Sequence, residues 1–425
     1  MDILLMILSL GLFIVLGKKA KGTIISLTYL SGIFWMIYTA ASYAFMKQYY
    51  SFSMIGIMWI NIAFWFMLMI ENLRNKKAVK SFKANSEITS ISKQSWLYMK
   101  ICLILGIVAF FYQVSLYGVQ FSDFLSLNSL ASMNNTIAVA RYSGNGIVNI
   151  LTQILLIFVY AAPACGGYAF VYSDTHFSDK IWSIMTLLPA FLMVLFTNTK
   201  AVIIGAGILW ASSYWISYFS RYKRDIKISF RKILLLASVF FVLLSFLIFS
   251  MVLRIGDVSR STLNIVLQKF QIYAFGSVQS FDWWCGNVYM PEYQLGTATY
   301  LGIFDFLGLA EKVQGVYTAY IGTSSNVFTV FRGVIADYGY IGGIIYLGIK
   351  SVFCGLCIKG IYGSTRVRPI LTAFLLAQMF FLAYGFIISP WTYMSYILSI
   401  FIFGGYVFTA SRRSVRITFG NKVLI

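Results

Sequence analysis

The chain has 425 residues, 60% of them hydrophobic and only 11% charged, with a mean hydropathy of +0.80. That excludes a water-soluble globular domain, whose surface could not cover so much apolar side chain. The formal charge of +20 does not point to nucleic acid, because the basic residues sit in short loops between apolar runs.

Those runs are about 18–25 residues long, the length that crosses a bilayer as a helix. They predict an all-α polytopic membrane bundle, a single domain over residues 1–425. The first span is 2–17. Asp2 precedes it and the cluster Lys18, Lys19 and Lys21 follows it, the reverse of a signal peptide. Ten more spans are expected at 23–46, 52–71, 97–118, 147–172, 181–198, 200–218, 233–253, 335–357, 369–389 and 391–410. Cys102, Cys165, Cys354 and Cys357 lie in apolar runs and read as small packing residues, while Cys285 is alone in a long loop.

Basic residues set the orientation. Loops after the odd-numbered spans carry clusters such as Arg74 to Lys93 and Arg221 to Lys232, and the tail carries Arg412, Arg413, Arg416 and Lys422. The opposite face keeps eight of the 33 Lys and Arg: Lys47, Arg141, Lys200, Arg254, Arg260, Lys269, Lys312 and Arg332. This bias predicts the N-terminus outside and the C-terminus in the cytoplasm. The outer face then carries two large loops, 119–146 and 254–334. Loops this long without linker composition are usually functional. The second includes Phe281-Asp282-Trp283-Trp284, a turn signal at Cys285-Gly286-Asn287, and an amphipathic stretch at 261–275 expected to lie at the interface.

The outward cations stand at helix mouths. Lys200 opens the seventh span, Arg254 and Arg260 follow the eighth, and Arg332 precedes the ninth. Such a set suits an anionic group, such as a diphosphate, or else anchors the spans to lipid headgroups. Arg332 is expected in the loop and Asp337 in the first turn of the ninth span, where a carboxylate also caps a helix. Gly339 and Gly343 form a G-x-x-x-G that admits a neighbouring helix. Trp283 and Trp284 either stack on sugar rings or belong to the aromatic belt.

The phosphate-binding loop of an ATP motor is absent, as is Asp-x-Asp metal spacing. The one histidine, His176, falls in an inner loop, against an outward Ser–His or zinc site. The spans read as poor in buried charge, against an ion-coupled transporter.

The span count, the two outer loops, "FTNTKAVIIG" at 196–205 and "NVFTVFRGVIADYGYIGGIIYLGI" at 326–349 resemble the bacterial Wzy-type repeat-unit polymerases of O-antigen and capsule. The resemblance extends over most of the chain as architecture. It implies a GT-C-like fold in the bacterial inner membrane and a metal-independent glycosyltransferase without a cofactor. Its substrates would be undecaprenyl-diphosphate-linked oligosaccharides, and its partners membrane lipid and a chain-length regulator. Under it, Lys200, Arg254, Arg260 and Arg332 hold the leaving diphosphate. Asp337, or second Asp257, serves as base, and Arg141, Trp283, Trp284 and Asn326 bind sugar. A lipid-linked oligosaccharide flippase has a similar span count, and an O-antigen ligase shares the mechanism but usually brings a His in the large outer loop.

Overall fold

The computed structural model describes residues 2–21, 26–75, 91–119, 149–173, 177–197, 199–223, 260–287, 293–311, 327–364 and 366–411. It adds short stretches between 129 and 252, and the pairs 418–419 and 422–423. Apart from those two pairs, which join antiparallel, the described elements are helical. In chain order they are α1 (Asp2–Lys21), α2 (Leu27–Met46), α3 (Ile55–Asn75), α4 (Lys93–Ser115), α5 (Ile150–Phe170), α6 (Phe177–Met185) and α7 (Leu188–Thr197). Then come α8 (Lys200–Tyr222), α9 (Arg260–Asn287), α10 (Leu301–Phe306), α11 (Val330–Tyr362), α12 (Pro369–Tyr384) and α13 (Met394–Ser411).

Local chemistry fixes the helix starts. Ser26, Ser92 and Asn149 stand just before α2, α4 and α5, and their side-chain oxygens accept N–H groups of Tyr29, Ser95 and Thr152 at 2.9, 3.2 and 2.8 Å. Pro189, without an N–H, sits in the first turn of α7, and α6 and α7 are two pieces of one span broken at 186–187.

Among the described residues, six helical stretches are long and apolar enough to cross a membrane: 93–115, 150–170, 177–197, 200–222, 330–362 and 394–411. Shorter apolar helices answer the expected spans 2–17, 52–71 and 369–389, and α2 covers 23–46. The expected span 233–253 lies mostly outside the described residues. The chain is thus a helical membrane protein, with α5 two-thirds buried at its centre. Small residues let α5 sit close to its neighbours: a Cβ at Gly166 would strike Thr186, and one at Gly167 the Trp210 carbonyl.

Which ends meet is also fixed. Lys223 Nζ, just past α8, donates to the Ile361 and Ser364 carbonyls at 2.6 and 2.9 Å, so α8 and α11 finish on one face. On the other face α9 docks against the end of α2, where Tyr38 and Ser42 donate to the Ala274 and Phe275 carbonyls at 2.8 and 2.5 Å. By the basic-residue distribution, that second face is the one expected to lie outside.

The second outer loop is therefore largely ordered structure. The stretch expected to rest at the interface, 261–275, is the first half of the 28-residue α9. Trp283 and Trp284, expected in a loop, lie in that helix, with Trp284 buried. Cys285 also lies there and is buried, and the turn expected at 285–287 is its last turn.

Candidate functional site

The site forms where the start of α11 enters the bundle. Phe328 and Val330 donate their N–H groups to the carbonyls of Ile387 and Gly385, just beyond α12, at 2.8 and 2.6 Å. Phe331 then lies in the core, its ring 4.6 Å from Trp35, 5.6 Å from Trp59 and 6.1 Å from Phe64. The helix breaks at Gly339, whose φ of 71° and ψ of 178° are open to glycine alone. In a straight helix Tyr338 and Tyr346 would stand about 12 Å apart along the axis. Their rings instead stack with centroids 5.0 Å apart. Val334 Cγ1 likewise lies 3.2 Å from where a Cβ on Gly343 would be. Residues 330–338 are thus a short helix folded against the start of 340–362, a re-entrant segment.

This corrects the expected placement of Arg332 and Asp337. Both lie in the short helix, Arg332 in its first turn rather than in a loop and Asp337 near its end rather than in a first turn. Gly339 makes the break, while Gly343 receives a neighbour, Trp59 of α3, whose Cζ2 lies 2.9 Å from its notional Cβ.

Asp337 caps nothing in its own helix. It is 0% exposed, and its two oxygens accept the N–H groups of Ala298 and Thr299 at 2.9 and 2.8 Å. Gln294 N–H donates to the Ala336 carbonyl at 3.1 Å, and Ser389 Oγ to the Thr299 carbonyl at 2.6 Å. The carboxylate therefore clasps the turn 294–300 onto the re-entrant helix. A fully buried group engaged this way positions that turn.

A second aspartate does similar work. Asp282, in α9, accepts N–H groups from Ser53, Met54, Gly56 and Ile57 at 2.6, 3.0, 2.8 and 3.3 Å, and the Ser53 hydroxyl at 3.0 Å. It is the N-terminal cap of α3, supplied from 229 residues away.

Between these two clasps lies Arg332. Its guanidinium carbon sits 5.2 Å from the Trp284 ring centroid and 4.7 Å from that of Phe328. Tyr340 Oη donates to the Cys285 carbonyl at 2.9 Å, closing the cluster from the far side of the break. Burial pushes the Cys285 thiol well above its usual range. Three buried hydroxyl oxygens around the clasps have no hydrogen-bond partner: Thr299 beside Asp337, Thr329 three residues before Arg332, and Ser280 one turn before Trp284. Orphaned polar atoms in a native interior mark places for water or a ligand.

The remaining expected residues are dispersed. Lys200 opens α8, half-buried. Arg260 opens α9, and 24 residues of helix, about 36 Å, separate it from Trp284. It does not join Arg332, so the expected convergence of cations does not extend to it. Trp283 is half-buried on the same helix as Trp284. Arg141, Arg254, Asp257, Asn326 and His176 lie outside the described residues. Among the described residues, no three His, Cys, Asp or Glu side chains are grouped to hold a metal ion.

Sequence reading missed three groups. Asp282 reads there only as part of the Phe281–Trp284 stretch of the second loop. Glu71, 7% exposed, accepts the Ser26 hydroxyl at 2.7 Å. Lys350, eleven residues past the break at Gly339, donates to Tyr346 Oη at 3.0 Å. The bundle is thus not free of interior charge. A lysine in the apolar run "GIKSVFCG" was the available signal. No known family, curated protein or solved structure matches the chain.

Proposed function

We propose that the chain joins lipid-linked oligosaccharides at the outer face of the membrane, as a polymerase of repeat units. The observation that carries this reading is Arg332, set against the Trp284 and Phe328 rings beside a re-entrant segment. A guanidinium offers five N–H donors to a diphosphate, and an indole face suits the C–H face of a sugar. A substrate with a polyprenyl tail and a glycan head needs such a place, at the level where lipid ends. The leaving group is undecaprenyl diphosphate, and Arg332 stabilises the charge that grows on it as the glycosidic bond breaks. Asp257, the second candidate from the sequence, takes the role of accepting the proton of the attacking hydroxyl in this reading.

The test is polymerisation of a purified undecaprenyl-diphosphate repeat unit by the reconstituted protein, read as a ladder of glycan lengths. Arg332→Ala is expected to lose about 2–4 kcal/mol of barrier lowering, on the order of 30- to 1000-fold in rate, and Arg332→Lys to recover part of it. Wild-type turnover in Arg332→Ala would make this arginine an anchor. The half-buried Lys350 and the buried Glu71 favour one second reading, a lipid-linked oligosaccharide flippase. Substrate crossing in vesicles without chain growth would select it.

A further inference from the structure

Lys350 lies in the middle of its helix, about 15 Å along the axis from Tyr340 and about 18 Å from Tyr362. A cation at that depth is costly, and in a membrane bundle it marks a pathway or a relay more often than a filler. Its surroundings are unusual for a structural charge. Nζ lies over the Phe381 ring, 3.9 Å from the centroid, and its hydrogen-bond partner is the Tyr346 phenol rather than a carboxylate. Tyr346 Oη is 2.5 Å from Tyr300 Oη, and Tyr300 is the last residue of the turn clasped by Asp337. A hydrogen-bonded chain thus runs from mid-membrane to the outer segment.

The chain continues the other way. Lys350 lines a cavity of about 10 Å³ together with Thr28, Ser351, Gln378, Cys354 and Met67, at the lower bound for one water. Thr28 Oγ1 and Ser351 Oγ are 2.8 Å apart. Two residues before Thr28, and one helical turn past Met67, Ser26 donates to Glu71. Glu71 is near the opposite end of α3 from the Asp282 cap.

We infer that these groups form a proton path through the bundle, with Lys350 as its carrier inside the membrane. Water at the outer face passes one proton to Tyr300 Oη as Tyr300 passes its own to Tyr346 and Tyr346 passes its own to the Lys350 amine. The ammonium so formed releases a proton to cavity water, from which it passes to the Glu71 carboxylate and on to water at the inner face. Only N–H and O–H bonds change, no electron moves, and the driving force is the proton gradient across the membrane. The titratable groups facing this path are Tyr346, Cys354, Tyr338 and Asp337 on α11, Tyr300 in the outer turn and Glu71 on α3. α2 and α12 contribute the neutral Ser26, Thr28 and Gln378.

The experiment uses the full chain in phosphatidylethanolamine–phosphatidylglycerol vesicles with a trapped pH dye and a valinomycin-set potential. Wild type is expected to conduct protons above protein-free vesicles. Tyr346→Phe, which keeps the stacked ring, and Lys350→Arg are each expected to cut this at least about tenfold. The arginine keeps charge and donors but never releases its proton, so a structural role would survive it. Tyr300→Phe provides the same comparison should one variant unfold on heating scans of the same samples. Wild-type flux equal to that of empty vesicles, or full flux in Lys350→Arg, overturns the inference. No glycan is present in this assay, so its outcome is separate from that of the polymerase reading.

Discussion

Asp337 and Asp282 each satisfy backbone N–H groups of a segment far away in the chain, and both are fully buried. Asparagine at 337 keeps one acceptor oxygen but turns an NH2 toward an N–H. The Asp337→Asn protein is expected to lose about 1–3 kcal/mol of stability, seen as earlier thermal unfolding in detergent, with turnover per folded molecule largely kept. Unchanged unfolding with a rate loss of about 100-fold would return Asp337 to the role of base. That Asp337 sits at the mouth of an apolar run is plain from the sequence. That its oxygens belong to Ala298 and Thr299 is not, because those partners lie 39 and 38 residues upstream in a stretch with no periodic signal.

At the scale of elements, the informative feature is the break in α11. The apolar run 335–357 reads as one straight span because hydropathy is blind to a single residue with positive φ. Gly339→Ala forces a side chain into a conformation that costs about 1–3 kcal/mol. It is expected to lower the unfolding temperature and to separate Tyr338 from Tyr346. Gly207 in α8 is the control: nothing lies within 4 Å of its notional Cβ, and Gly207→Ala is expected to be neutral or to stabilise by up to about 1 kcal/mol. A mild effect at 339 equal to that at 207 would argue for a straight helix. α9 shows the complementary failure of sequence reading. Its first half was legible from amphipathicity, but Gly276, Asp282 and Gly286 in the second half are residues that usually end helices. Asp282 becomes a helix-compatible residue only once the bare start of α3 is brought beside it.

For the whole molecule, length and apolar runs sufficed to show a helical membrane bundle, and nearly every described span overlaps its expected position. Orientation rests on the basic residues and is open to direct test. Asn287 at the end of α9 and Arg366 between α11 and α12 are exposed, while all five native cysteines are buried. A membrane-impermeant maleimide is expected to label Asn287→Cys in intact spheroplasts and Arg366→Cys only after permeabilisation. The opposite pattern would invert the molecule and move Arg332 to the cytoplasmic side. Ser280, within the same outer loop by sequence, is a poor labelling position because α9 buries it. The depth to which 294–300 and 327–338 enter the bundle was not legible, since it depends on pairings between segments rather than on the apolarity of either.

The backbone pairing of Phe328 and Val330 with Ile387 and Gly385 has a bearing on biogenesis. The acceptor carbonyls are synthesised 59 (387 − 328) and 55 (385 − 330) residues after the donors they satisfy. In hydrocarbon, N–H groups left without partners are strongly disfavoured, so the re-entrant segment cannot settle while the ribosome is still making α12. The cap of α3 waits in the same way for Asp282. Insertion of the individual helices therefore precedes closure of the half that holds these pairings, which completes only after translation has passed residue 387. Chains stalled before that point expose an unpaired, apolar segment of the kind that membrane quality-control proteases remove.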